Sequence, residues 1–414
     1  MSRVRTYVEI AGVSREVGDA FFNFRRGRLT ATFSYARDYL GLRGAYAIDP
    51  ALGLSGGSWP LPNGLPGAFS DAAPDRWGRN LIAKRLRAQA TAERRPMPTL
   101  DDRDFLLGVS DETRQGALRF KTETADEFQH PAPEVPKLIA LPALMHAAAA
   151  VARDEPGNLE AIKTLLDAGT GSLGGARPKA SVRDGDRLLI AKFAHHADDW
   201  NVIAWEKSAL DLAAEAGIVV PGRSLVGVEG SSVLLLDRFD REGRQRVGYV
   251  SAMTLLEARD GQPRDYLEIA EVIPDHGSMT VADLRQLWRR IAFSIAVHNT
   301  DDHLRNHGFL RRGPGWTLAP AFDVNPNPDL AANRVTSIGG ASDPAGEVEA
   351  LLVYSERFAL TDAQARVVLR EVADAARSWA AVARRNGVAE AEIARFDPTL
   401  TRTIEVVSAS AAGG

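Results

Sequence analysis

The chain has 414 residues, too many for one hydrophobic core, so two or three domains are expected. Its 45% hydrophobic and 25% charged content is that of an ordinary globular protein, and a net charge of −4 gives no global argument for a nucleic-acid or membrane-surface binder. Cysteine is absent, which excludes disulfides, thiolate catalysis and cysteine-ligated zinc and fits a reducing compartment.

The opening stretch MSRVRTYVEIAGV lacks a signal-peptide core, and no run of about 18 apolar residues occurs. A cytoplasmic protein with no membrane span is expected. Residues 1–70 read as β-rich, with alternating apolar positions in RTYVEIAGVSREVGDAFFNF and RLTATFSYARDYL. Residues 74–95 form a predicted helix opened by Pro74. A short helix, a turn and a strand follow over 99–120, and the Pro-rich stretch 121–137 is a linker or laid-down loop. From 168 the pattern changes to a glycine-rich turn between two short strands. A helix over 198–217 comes next, with Asp198 or Asp199 as its cap and Gly217 as its stop. Two strands follow around RSLVGVEG and SVLLLDRFD. The remainder is mostly helical, over 252–272, 281–298, 361–386 and 388–395, and the tail SASAAGG is expected to be disordered. The domains read as 1–135, β-rich with its linker; 136–240, with the glycine-rich loop; and 241–414, helical.

The chemistry concentrates in HNTDDHLRNHGFL at 298–310. Asp301 and Asn306 stand as D-x-x-x-x-N after a helix, and HGFLRRGPGWTLAPAFDV continues as a hairpin whose second strand ends at Asp323. One carboxylate to orient a hydroxyl, plus an amide and a second carboxylate as hard oxygen ligands for Mg²⁺, is the set phosphoryl transfer needs. The same residues also serve as helix caps and turn formers. His303 and His307, four apart, leave a zinc reading open.

Upstream, Gly171, Gly174 and Gly175 sit in GTGSLGGARPKASV, a turn whose N–H groups can cradle phosphate oxygens but which equally suits a plain hairpin. Lys192 ends the apolar strand RLLIAKFA, and Glu206 follows 14 residues later in a helix. Such a lysine can meet nucleotide phosphates and pair with a helix glutamate, or simply reach solvent. SVLLLDRFDR could join two lobes and meet an adenine ring through its backbone. Taken singly each signal is weak. Their order is that of the working parts of a two-lobed kinase: glycine loop, strand lysine, helix glutamate, connector, D-x-x-x-x-N, hairpin, Asp.

These segments resemble the HipA family, the kinase toxins of HipA–HipB toxin–antitoxin modules. SLGGARPKA resembles its glycine-rich loop, NTDDHLRNHGFL its catalytic segment, LAPAFDV its metal-binding Asp and LLLDRFDR its lobe connector. FSDAAPDRWGRNLIAKR and DFLLGVSDETRQGALRF resemble its N-terminal region. The resemblance implies an α+β, two-lobed protein-kinase-like fold with a β-rich N-terminal subdomain and a mostly helical C-terminal lobe. It implies Asp301 as catalytic base, with Asn306 and Asp323 holding Mg²⁺. ATP would meet Gly174, Gly175, Ala176, Arg177, Pro178 and Lys179 of the loop, and Lys192. It would also meet Asp237, Arg238 and Phe239 of the connector, and His303. Glu206 would support Lys192. Ser172 matches a serine that relatives autophosphorylate, placing about −1.5 to −2 charges beside the nucleotide phosphates and expelling the loop. Implied partners are a HipB-like helix-turn-helix antitoxin, DNA mainly through that antitoxin, and a protein substrate, an aminoacyl-tRNA synthetase. Asp302, where relatives often carry a small residue, adds charge next to the base, and Arg177-Pro178 stiffens the loop. The alternatives are a nucleotide-binding pseudokinase acting as co-repressor, and a kinase fold that transfers AMP.

Overall fold

The computed structural model describes residues 2–61, 64–129, 134–155, 157–169, 177–341 and 343–412. The chain divides into two compact units. One holds Met1–Ala197 and Gly227–Val250, the other Asp198–Val226 and Ser251–Gly414.

The first unit holds a five-stranded antiparallel sheet and most of a second, four-stranded one. Strands β1 (Ser2–Ile10), β2 (Val13–Arg25), β3 (Arg28–Tyr35), β4 (Trp59–Leu61) and β5 (Leu118–Thr122) lie in the order β4-β3-β2-β1-β5. Ala11-Gly12 and Arg26-Gly27 close the β1–β2 and β2–β3 hairpins, and all four residues take positive φ. Two-residue loops need that geometry to match the strand twist. Alternation then buries one face, Val4, Thr6 and Val8 from β1 with Leu29, Ala31, Phe33 and Tyr35 from β3. Gly18 is demanded by close approach, because a Cβ there would lie 2.1 Å from the Ser34 carbonyl oxygen. Phe33, Phe69 and Phe120 meet edge to face in this core. Arg114 is buried beside Phe120 and donates to the carbonyls of Ala72, Leu106 and Val109, so its charge is met by backbone dipoles.

The predicted helix at 74–95 is α1 (Arg76–Ala92), capped by Asp75, whose Oδ1 accepts from Gly78 N at 2.7 Å. Helices α2 (Leu141–Ala152) and α3 (Leu159–Asp167) pack together. The second sheet holds β6 (Lys179–Asp184), β7 (Arg187–Lys192), β8 (Arg223–Val228) and β9 (Ser231–Asp237) in the order β6-β7-β9-β8.

The second unit is helical, with α4 (Val202–Glu215), α5 (Tyr266–His276), α6 (Thr280–Ala296), α7 (Pro344–Val353), α8 (Asp362–Ala376) and α9 (Glu390–Ala412). α6 is the central helix, packed by α7, α8 and α9. Its apolar positions, including Leu284, Leu287, Trp288 and Ile291, recur at three- and four-residue spacing and are buried. Among the described residues no helix is long and apolar enough to cross a membrane.

Several local expectations change. The cap of α4 is Asn201, whose side chain accepts from Ala204 N, and neither Asp198 nor Asp199 takes that place. The helix expected over 252–272 is two, Ala252–Leu255 and α5, because Gly261 and Pro263 interrupt it. Asp265 then opens α5 with a capping box to Glu268. The tail is not disordered through Ala412. Val407 and Ala411 are buried, and Arg366 and Arg370 of α8 donate to the carbonyls of Ser410 and Ala411.

Candidate functional site

The segment that follows α6 is folded by its own polar side chains. His298 takes a left-handed φ of 50°, which turns the chain sharply off the helix. From there the loop is laced to residues 325–336. His298 Nδ1 lies 3.0 Å from Asn327 O, Asn327 Nδ2 donates to Thr300 Oγ1, Asn325 N donates to Asn299 Oδ1, and Val335 N donates to Thr300 O. Asp301 and Asn306 are thus held against the segment that carries Asp323. This convergence was expected to come from a hairpin ending at Asp323. The hairpin, β10 (Gly308–Arg312) with β11 (Gly315–Leu318), ends five residues earlier. Pro320 has no N–H to extend a ladder, and Asp323 itself takes a left-handed φ of 58°.

Within the loop, Asn306 is buried and its Nδ2 donates to the Asp301 carbonyl at 3.1 Å. That fixes the amide, and its Oδ1 is the atom that could meet a cation. The Asp323 side chain accepts from Asn325 Nδ2 at 3.4 Å. An amide oxygen and a carboxylate are hard ligands that fit Mg²⁺, with water and phosphate completing its shell. Asp301 is exposed as a residue, yet its carboxyl is raised above the ordinary value. Partial loss of hydration is the main cause; the charges of Asp323 and Asp302 add to it and His303 opposes it.

Asp302 faces the other way. It is buried, its Oδ2 accepts from Tyr266 Oη at 2.6 Å and Ser294 Oγ at 3.1 Å, and Thr336 Oγ1 donates to its carbonyl. His307 Nε2 lies 3.1 Å from its Oδ1, off the alignment of a strong hydrogen bond. Burial opposes ionisation, but His307, Tyr266 and Arg334 together hold the carboxyl well below the usual range. Asp302 is therefore an anchor, and its charge is the smallest of the contributions reaching Asp301. Arg334 completes the anchor: it pairs with Glu347 of α7 at 2.9 and 3.2 Å and donates to Ser294 Oγ and the Asn299 carbonyl. Tyr266, Arg334 and Thr336 carried no sequence signal, being far from the motif in the chain, whereas Ser294 lies in the helix just before it and Asn299 within it. Against the zinc alternative, residues 304–306 are a 3₁₀ turn and His307 turns inward to Asp302. No group of three His, Cys, Asp or Glu suited to a metal occurs among the described residues.

The remaining expected residues fall as follows. Ser172, Gly174, Gly175 and Ala176 lie outside the described residues. Arg177 begins the described chain again, and Pro178 O accepts from Phe193 N at 2.9 Å. Lys179, expected over the phosphates, lies against the start of α1. It is 1% exposed, and its Nζ lies 2.6 Å from Asp75 Oδ2. The cap of α1 thus takes the lysine charge, which the burial of both groups requires. Lys192 ends β7 opposite Lys179 and is buried. Glu206 is buried in α4, in the other unit. In the connector, Asp237 closes the β7–β9 ladder and its carboxylate pairs with Arg187 at 2.5 Å. The Arg238 N–H donates to Leu188 O at 3.1 Å. Its guanidinium binds Asp240 through two bonds. Phe239 lies 6.2 Å from Tyr249, ring to ring.

Comparison with known proteins places this arrangement. A family model described as the HipA-like C-terminal domain matches residues 171–380, half of the chain and the part that contains Asp301, Asn306 and Asp323. The chain belongs to the HipA family. HipA of Shewanella oneidensis MR-1, solved in a complex with HipB and operator DNA, superposes with a TM-score of 0.65 at 14% identity, over 99% of this chain and 96% of that one. The fold is thus the α+β fold of HipA, β-rich toward the N-terminus and helical toward the C-terminus. A Haemophilus influenzae protein named "Putative kinase" is 28% identical over 144 residues; the match spans 30% of this chain and 42% of that relative's length. The Helicobacter pylori proinflammatory kinase CtkA gives a TM-score of 0.46 at 16% identity, over 58% of this chain and 93% of that one.

Proposed function

We propose that this chain is a Mg-ATP-dependent serine/threonine-protein kinase and the toxin of a toxin–antitoxin module. The observation that carries the reading is the Asp301–Asn306–Asp323 set. An exposed carboxylate, made more basic than usual, stands on the same loop as a fixed amide and within electrostatic reach of a second carboxylate. Asp301 orients the acceptor hydroxyl and takes its proton, and its raised pKa makes it a better base than a free aspartate. Asn306 and Asp323 are the residues for Mg²⁺, which when bound neutralises charge on the transferring phosphoryl group. Lys192 contacts the nucleotide phosphates, with Glu206 supporting it. His303, whose Nδ1 is buried without a hydrogen-bond partner among the described residues, stands near the nucleotide. Catalysis is then positioning and charge neutralisation.

Belonging to the HipA family supports the toxin role. The Shewanella neighbour solved with HipB and operator DNA supports a HipB-like helix-turn-helix antitoxin as partner, with DNA contacted mainly through it. On this reading the protein substrate is an aminoacyl-tRNA synthetase, and Ser172 is the autophosphorylation site.

The deciding experiment incubates the purified chain with γ-labelled ATP and Mg²⁺, followed by phosphoproteomics of cells after induced expression. The expected result is label on Ser172 and on a cellular protein serine or threonine, both lost in Asp301→Asn. Transfer of AMP in place of phosphate, or full activity in Asp301→Asn, would overturn the reading.

A further inference from the structure

The helical unit carries a cavity of about 440 Å³ that shares His303 with the loop of Asp301 but none of Asp301, Asn306 or Asp323. Its floor is apolar, from Met253, Leu304 and Val335, and Val335 is 53% exposed. Arg259, Arg264 and Arg305 also line it. Asp260 is the single acidic residue in the lining, and Arg305 grips it through bonds of 3.2 and 3.0 Å. Two positive charges remain in excess. Arg264 lies 3.3 Å from Glu268, on the first turn of α5. Arg259 is exposed, and its guanidinium makes no ion pair among the described residues. A hole lined with exposed apolar surface and rimmed by guanidinium groups fits an apolar side chain flanked by carboxylates, since guanidinium forks recognise carboxylates in pairs of bonds.

We propose that this cavity receives the part of the protein substrate adjoining the phosphorylated hydroxyl. That part carries an apolar residue with an acidic residue beside it. The proposal rests on the kinase reading of the same loop and adds the substrate's local sequence. His303 stands two residues from Asp301, a span of at most about 7 Å of chain. A hydroxyl at Asp301 and a side chain in the cavity therefore belong to positions within about three residues of each other. The apolar side chain fills the floor and the carboxylate meets Arg259.

The test uses the full chain with Mg-ATP on a degenerate peptide library that has one central Ser or Thr and varied flanks. The expected result is enrichment of Asp or Glu together with Leu, Ile or Phe within three positions of the acceptor. Arg259→Glu should reverse the charge choice, lowering kcat/KM on the best acidic peptide at least tenfold while raising it on the lysine counterpart; that gain also shows the variant to be folded. Val335→Trp, which fills the floor, should raise KM for apolar-flanked peptides and abolish the apolar preference. Phosphorylation without a charge preference, or a preference unchanged in both variants, overturns the proposal. So does Ser172 phosphorylation with no peptide phosphorylated, an outcome that leaves the kinase reading standing. Absence of transfer to peptides, to Ser172 and to cellular proteins alike overturns the kinase reading beneath it.

Discussion

Tyr266 donates its phenolic hydrogen to Asp302 Oδ2 across 2.6 Å, from a point 36 residues earlier in the chain. The bond joins the first turn of α5 to the residue beside the proposed base and holds one side of the loop in place. Tyr266→Phe removes the donor and leaves a buried carboxylate one bond short. A loss of about 1–3 kcal/mol is expected, read as a lower urea midpoint with an unchanged slope.

The same carboxylate should mark the acid stability of the protein. The folded-state pKa of Asp302 lies below its unfolded value of about 3.9. Its stabilisation is therefore complete above that value and drains away as the pH falls through and below it. In Asp302→Asn this component disappears. Stability near neutrality should drop, and the remaining loss on acidification should be shallower than in the parent chain. Thermal unfolding at a series of pH values from 7 downward reads both effects.

Asp301 is exposed, so Asp301→Asn should leave the unfolding midpoint nearly unchanged while phosphoryl transfer falls about 100- to 10,000-fold. The acidic limb of kcat/KM should lie above that of an ordinary aspartate, because the group must be ionised to act and its pKa is raised. Asp323 contributes to that rise, so Asp323→Asn should move the limb to lower pH. His303 opposes the rise, so His303→Gln should move it upward.

Lys179 and Asp75 separate a structural lysine from a nucleotide-binding one. Both side chains are buried at 2.6 Å separation, so removing one partner takes the close counter-charge from the other. Lys179→Met should cost about 3–5 kcal/mol, and replacing both with apolar residues should restore most of it. A lysine over the phosphates would instead raise the KM for ATP without unfolding the chain. Denaturation and ATP kinetics on the single and double variants tell the two apart.

Asn306 and Asp323 should respond together to magnesium. Asn306→Ala or Asp323→Ala should raise the Mg²⁺ concentration needed for half-maximal rate and lower the plateau. Asp301→Asn should lower the plateau alone. A magnesium titration of each variant at saturating ATP makes the comparison.

What the sequence made legible was the order of parts and the residues bunched within one loop. Asp301, Asn306 and Asp323 could be picked out as candidates because oxygen-bearing side chains are crowded around a helix end and a hairpin. The strands of the first sheet could be read because alternation and two-residue turns are local signals. The anchor behind the loop could not. Tyr266, Ser294 and Arg334 reach Asp302 only through the packing of α5, α6 and the segment before α7, and nothing in their local spacing announces it. The pairing of Lys179 with Asp75 was hidden for the same reason, since the two lie 104 residues apart. The ordered end of α9 was hidden because its small residues, read alone, carry no helix signal stronger than a flexible tail.

Asp301 and Asp302 are consecutive and face opposite ways, one toward solvent and one into the protein. Their roles are thus assigned by counting. Removing one residue ahead of them, or adding one, would rotate the wrong carboxylate outward and leave the interior position to a residue with no business there. The span from Ser294 to His307 should consequently withstand a change of side chain at a half-buried position such as 305 far better than any change in length. A designer seeking to redirect this protein has freedom in the lettering of that stretch and none in its metre.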